Sequence, residues 1–206
     1  TWHAAGLVSQ LGPTAAVTKI RKYTLDLYKK LEKEVDHSAG LRINGALSIA
    51  QTDARWQELQ RQATTAQLYD VDIKILDKDQ IKKNYPIMHT DDLKGGVLMP
   101  GDGAADPSGV TYMLAKGARL GGAKIFEQSP VETILTKNGR VSGVRVNGQD
   151  IECEYVVLAT GMWSRQIGEK IGVSIPLYPA EHFYVITEPI ENLSPTLPVI
   201  RDFDSS

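Results

Sequence analysis

The chain has 206 residues, 42% of them hydrophobic and 23% charged, with a formal net charge of -2 at pH 7. Those proportions fit one large domain or parts of two, and they exclude a disordered chain and any electrostatic case for a nucleic-acid or membrane-surface partner. The single cysteine, Cys153, rules out an intrachain disulfide and favours a reducing compartment, and no apolar run approaches the roughly 20 residues of a membrane span.

Val17, Ile20, Leu27, Leu31 and Val35 recur at helical spacing among lysines and glutamates, which predicts an amphipathic helix from Thr14 to about Asp36. Leu41 to Gln51 reads as a strand, and Thr52-Asp53 opens a second helix with Trp56, Leu59, Ala63 and Ala66 on its apolar stripe. Val71 to Leu76 reads as a short strand, followed by a helix that begins at Asp77 and ends by Pro86. Leu93 to Met99 is a further strand, broken by Pro100-Gly101-Asp102-Gly103. Asp106-Pro107 then gives a capping carboxylate followed by proline, a helix start, and Gly121-Gly122 closes that helix. Ala123 to Phe126 reads as a strand.

A meander is expected next. Val131 to Thr136, Val141 to Val146 and Asp150 to Glu154 alternate as strands, with Asn138-Gly139 and Asn147-Gly148 as the tight turns. Tyr155 to Ala159 is a continuous apolar strand, and a helix follows from about Trp163 to Gly172. Leu177 to Thr187 reads as a long strand, and the tail after Pro189 as irregular. The mixture of elements places the fold class as α/β or mixed α+β. Both ends of the chain read as cuts through something longer.

Three segments have the composition of a ligand site. Thr1-Trp2-His3-Ala4-Ala5-Gly6-Leu7 is rich in small residues that let a backbone approach a flat ligand. His3 within it is either a nucleophile able to bond a cofactor or a solvated histidine. Tyr155 to Trp163 carries an apolar strand into Ala159-Thr160-Gly161 and a helix start, the place where α/β sheets bind ligands and also a common structural turn. In a strand, His182 and Tyr184 share one face, so they line one pocket or sit in a domain interface. Asp102 and Asp106 read as turn and cap residues. His37 reads as a residue at a helix end and His89 as part of a polar loop. Zinc-type spacing, a phosphate loop and a Gly-x-Ser-x-Gly elbow are absent, so no metal is expected.

These segments, in this order, resemble the dimethylglycine and sarcosine dehydrogenase family of FAD-dependent amine oxidoreductases. Thr1 to Leu7 is similar to that family's covalent-flavin segment, and the resemblance implies that His3 is bonded to the 8α-methyl carbon of FAD. Pro100 to Pro107 resembles the loop before its second long FAD-domain helix. Ala159, Thr160, Gly161 and Trp163 resemble a second flavin contact, and Val131 falls at the adenine contact. Pro179 to Glu188 resembles the substrate-domain strand that carries an active-site histidine, so His182, with Tyr184 beside it, takes the catalytic position.

The resemblance implies a partial FAD-binding domain of the glutathione-reductase/D-amino-acid-oxidase type, interleaved with part of a substrate domain. Residues 1–40 and 101–172 would belong to the first, and 41–100 and 173–206 to the second. It also implies an N-methylated glycine or similar amine as substrate, and an electron-transfer flavoprotein or oxygen as acceptor. Tetrahydrofolate would bind in a domain outside this chain. The location would be the cytoplasm, or the mitochondrial matrix in a eukaryote. The family's Gly-x-Gly-x-x-Gly pyrophosphate loop has no counterpart in these residues. A second reading is a flavoenzyme of the wider glycine/D-amino-acid oxidase group with non-covalent FAD, and a third is a non-catalytic module that keeps the fold.

Overall fold

The computed structural model of the chain describes residues 4–205. It divides into two compact units: one runs to Lys124 and resumes at Ile190, and the other is Ile125–Pro189.

The first unit contains β1 (Leu7–Val8), α1 (Ala15–Val35), β2 (Ala46–Ala50), α2 (Asp53–Gln67), β3 (Lys74–Leu76) and α3 (Lys78–Asn84). It continues with β4 (Gly95–Met99), β5 (Gly103–Ala104) and α4 (Pro107–Leu120). Its helix starts follow local chemistry. Thr14, Thr52 and Asp77 are extended and accept a backbone N–H of the first turn, and Asp77 and Gln80 form a reciprocal capping box. Asp106 accepts from Ser108 and Gly109 ahead of Pro107. α1 ends where Asp36 turns left-handed at φ 47°, ahead of Gly40.

Four strands form the main sheet in the order β3-β4-β2-β9, where β9 is Val199–Asp202. β4 is antiparallel to β2 and β3, whereas β9 runs parallel to β2. Every residue of β2 is buried because both faces of the sheet are covered. Leu47 and Ile49 pack with Leu76, Ile81 and Leu93 on one face. Ala50 and Val97 pack with Leu59 and Ala63 of α2 on the other. Gly95 makes that second contact possible, since a Cβ there would lie 2.7 Å from the Trp56 ring. A third cluster joins α1 to α4 through Val35, Ala39 and Met113. Each fully buried leucine or isoleucine in these clusters contributes about 1.5–3 kcal/mol.

In the second unit, β6 (Val131–Lys137), β7 (Arg140–Val146) and β8 (Gln149–Glu152) form an antiparallel meander. Asn138 and Gly139, and then Asn147 and Gly148, are all left-handed at its two turns. That geometry fits the right-handed twist of the strands and is open to asparagine and glycine. A 3-10 turn (Gly161–Trp163) leads into α5 (Ser164–Glu169).

Several expectations change. Leu41 to Gln51 pairs only over Ala46–Ala50, because Gly45 at φ 86° breaks the run and leaves Arg42 bridged to Ala104. Val71 to Leu76 shortens to β3, since the Val71 N–H turns back to Ala66 O at the end of α2. Ala123 to Phe126, Tyr155 to Ala159 and Leu177 to Thr187 are not strands. A strand needs a ladder partner, and none pairs with these segments among the described residues. The helix expected from Trp163 to Gly172 is a 3-10 turn and α5, ending at Glu169. The proline-rich tail, read as irregular, contains β9, whose partner β2 lies about 150 residues away. Because Leu177 to Thr187 forms no strand, the shared face expected for His182 and Tyr184 is not formed.

Candidate functional site

The described part of the first segment begins at Ala4. Thr1, Trp2 and His3 lie outside the described residues. Ala4, Ala5 and Leu7 are exposed, and Gly6 is partly buried at φ 75°. A Cβ on Gly6 would lie 2.2 Å from Ala105 O, so only glycine lets this chain approach so closely. Gly6 O accepts from Ala105 N at 2.8 Å, and Leu7–Val8 pairs with Gly103–Ala104.

The next residues are held from several sides. Arg21 Nη1 donates to Leu11 O at 2.5 Å and to Ser9 Oγ at 3.2 Å. Gly12 N donates to the buried Thr18 hydroxyl at 3.0 Å. Gln10 N donates to Asp102 Oδ1 at 2.9 Å. Asp102 is 0% exposed, and its other oxygen receives Arg201 Nη2 of β9 at 3.4 Å. Burial pushes the Asp102 carboxyl above its usual range, opposed by the Gln10 N–H and by Arg201. Burial likewise lowers the Arg201 guanidinium, opposed by Asp102.

Arg201 also lines a cavity of about 570 Å³ with Leu11, Pro13, Ser48, Met99 and the polar side of α2. On that side Glu58 accepts from Gln62 at 3.0 Å and pairs with Arg61, bonds that hold its carboxyl below the usual range. Arg201 Nε is buried without an acceptor among the described residues. At the far end of β9, Asp204 accepts from Gln51 N at 2.9 Å and Thr52 N at 3.2 Å and pairs with Arg55.

In the second unit, Thr160 Oγ1 and the buried Ser164 Oγ are 2.8 Å apart and close the turn around Gly161. Gly161 is left-handed at φ 54°, with open space where a side chain would stand. Ala159 is exposed, Trp163 is 60% exposed, and Val131 is exposed at the start of β6. His182 and Tyr184 lie in an exposed stretch with no assigned secondary structure. An open concavity of about 510 Å³ beside α5 is lined by the ion-paired Arg165 and Glu169 and by Val173 to Tyr178.

Sequence reasoning kept Asp106 as a cap and missed the Asp102–Arg201 pair. Its only local trace is an acid in a glycine turn directly after a buried strand, and an arginine within an apolar run. Of the histidines read as incidental, His37 meets the Tyr112 ring edge-on and His89 faces Asp91 and Asp92. Among the described residues there is no cluster of metal-ligating side chains and no helix long and apolar enough to cross a membrane.

Residues 1–206 match the family model described as FAD dependent oxidoreductase, DAO. The chain is 36% identical over 206 residues to 4-methylaminobutanoate oxidase (formaldehyde-forming) of Paenarthrobacter nicotinovorans, covering 100% of this chain and 25% of that protein. It is 35% identical over 212 residues to mitochondrial sarcosine dehydrogenase of Homo sapiens, covering 100% of this chain and 23% of that one. The chain thus spans about a quarter of the length of these relatives. Among solved structures, L-proline dehydrogenase from P. horikoshii superposes with a TM-score of 0.86 at 27% identity, over 95% of this chain and 52% of that one. The mixed helix-and-sheet fold and the match along its whole length agree: the chain belongs to the DAO family of FAD-dependent oxidoreductases.

Proposed function

We propose that the intact protein oxidises an N-methylated amino acid, such as sarcosine or dimethylglycine, at the carbon beside nitrogen. The observation that carries this reading is the whole-length similarity to relatives named for sarcosine and for 4-methylaminobutanoate. Both of those amines bear a carboxylate. The cavity beside Leu11 and Pro13 supports such a substrate, because the cationic side chains of Arg61 and Arg201 are both among its lining residues.

The residues fit the cofactor in kind. Ala4 to Leu7 and Ala159 to Trp163 carry no charged side chain, and Gly161 has positive φ with open space where a side chain would stand. Such backbone suits the approach of a flat ring system. Bound FAD supplies the two-electron acceptor for this class of reaction. In our reading His3 tethers it covalently, Thr1, Trp2 and Ala4 to Leu7 line it, and Val131, Ala159, Thr160, Gly161 and Trp163 make further contacts. His182 orients the amine and favours its uncharged form, since a protonated nitrogen has no lone pair to assist loss of hydride from the neighbouring carbon. Tyr184, two residues on, shapes the same pocket. Residues 1–40 and 101–172 serve the FAD domain, and the rest the substrate domain.

Water or folate would take the one-carbon unit. An electron-transfer flavoprotein or oxygen would take the electrons, in the cytoplasm or, in a eukaryote, the mitochondrial matrix. Mass spectrometry of the denatured, digested protein tests the covalent branch through the peptide that contains His3. An FAD adduct and turnover of sarcosine or dimethylglycine are expected. Unmodified His3 with released flavin would replace the tether with a non-covalent FAD site, and no turnover of any N-methyl amine would sink the substrate class.

A further inference from the structure

We infer that Asp102 is a positioning residue for substrate recognition. It holds the Arg201 guanidinium at the wall of the cavity beside α2, and so sets the preference of that site for an amine that bears a carboxylate. The inference rests on the substrate reading above.

Strand pairing decides where Arg201 stands. β9 runs parallel to β2 with Ile200 opposite Leu47 and Arg201 opposite Ser48. Ile200 packs against the Leu47 cluster, so strand alternation sends Arg201 to the other face, the one that α2 covers. Ser48 and Arg201 line the same cavity there. The two cations of that cavity differ in surroundings. The Arg61 side chain is 74% exposed and paired with Glu58, so water screens it. The Arg201 side chain is 15% exposed, and an anion beside it is held more strongly. Asp102 is the one acceptor of that side chain among the described residues, at a long 3.4 Å, and Nε has none. A guanidinium has more donors than this contact uses, and a carboxylate can take two of them as a fork. Arg21, the other cation near the pair, is committed to Leu11 O and Ser9 Oγ. Asp102 can hold Arg201 in place because it is itself fixed. Its N donates to Met99 O at 3.2 Å, its O accepts from Gly45 N at 2.8 Å, and its Oδ1 accepts from Gln10 N. Without that support a long, flexible side chain regains its rotamers and the guanidinium leaves the wall. Asp102 is not among the residues lining the cavity, so it acts through Arg201.

The test uses the intact flavoprotein and measures kcat and KM for sarcosine or dimethylglycine, whichever turns over faster, against the neutral amide of the same compound. Acetate serves as a carboxylate probe through its competitive inhibition. Asp102→Ala is expected to lower the preference for the acid over the amide about tenfold, through KM, and to weaken acetate inhibition by a similar factor. Asp102→Asn keeps the shape and an oxygen for the Gln10 N–H, so it serves if Asp102→Ala does not fold, and a loss of about threefold is expected. Arg201→Met combined with Asp102→Ala strands no buried charge, and it is expected to lose no more preference than Arg201→Met alone, since the two residues act as a unit. Equal losses on acid and amide in the Asp102 variants would overturn the positioning role, because a merely structural residue affects both substrates alike. Wild-type preference in the folded variants would overturn it as well, while leaving the substrate reading intact. A wild-type protein that oxidises no N-methyl amine would overturn the substrate reading and this inference with it.

Discussion

The two units use similar residues to different effect. The first closes its own interior: all three apolar clusters lie in it, and β2 is covered on both faces. In the second, Ile134 is the only buried apolar side chain among the described residues, while Val157 is 87% and Phe183 83% exposed. Tyr155 to Ala159 is as apolar as β2, so composition does not separate them. The difference is a partner. β2 has β4 on one side and β9 on the other, and Tyr155 to Ala159 has no strand beside it among the described residues. An apolar run becomes interior only when its backbone donors and acceptors are also satisfied.

The sharpest challenge to this comparison is a pair of truncations. Leu47→Ala in the sheet is expected to cost about 3–5 kcal/mol in urea unfolding of the intact protein, the range for a filled core site that cannot collapse. Val157→Ala, at a side chain 87% exposed, should stay within about 0.5 kcal/mol. A loss at Val157 as large as that at Leu47 would show that the second unit is buried by chain outside these 206 residues. Next in size, Arg201→Met strands Asp102 in the interior without its counter-charge and should cost about 3 kcal/mol at neutral pH. The loss should shrink in acid, where Asp102 is neutral, and an equal loss at both pH values would rule out the charge pair as the cause.

Asp106→Ala removes the cap of α4 and should cost about 1 kcal/mol, read as a lower urea midpoint with an unchanged slope. The smallest effect is a contrast of sign within the first unit. Hydrogen bonds from Gln51 N and Thr52 N, with Arg55, hold the Asp204 carboxyl below its ordinary value. Its contribution is therefore present above the ordinary carboxylate range and lost as pH falls through the lower folded value. Asp102 is raised by burial, so its contribution is largest when it is protonated and is lost as pH rises through its folded value. Melting curves of Asp204→Asn against wild type should converge at acid pH. Curves that stay separated there would mean that Asp204 acts by packing instead of charge.

What the chain reveals locally was readable. Thr14, Asp77 and Asp106 mark helix starts because each cap is satisfied within three residues. The two Asn-Gly pairs mark the meander because both positions must turn left-handed. Elements that depend on distant partners were misread. β9 is short and follows prolines, and only its register with β2 makes it a strand. Leu177 to Thr187 has strand composition with no ladder to join. The same divide applies to the site. Flavin-segment residues were read from a motif, whereas Asp102 and Arg201 are 99 residues apart and their pairing has no local signature. His3 itself lies outside the described residues, so its role still rests on the motif.

The parallel pairing of β9 with β2 also orders events in time. The sheet that holds Leu47 and Ile49 receives its fourth strand only after residues 125–189 have been made, because the whole second unit is inserted before β9 in the chain. The meander, with hairpins closed by two-residue turns, has low contact order and can form as it leaves the ribosome. The first unit must meanwhile keep the open edge of β2 from other strands until Val199 to Asp202 arrive. Arrest of synthesis between these points should therefore leave a second unit with native pairing and a first unit prone to aggregate.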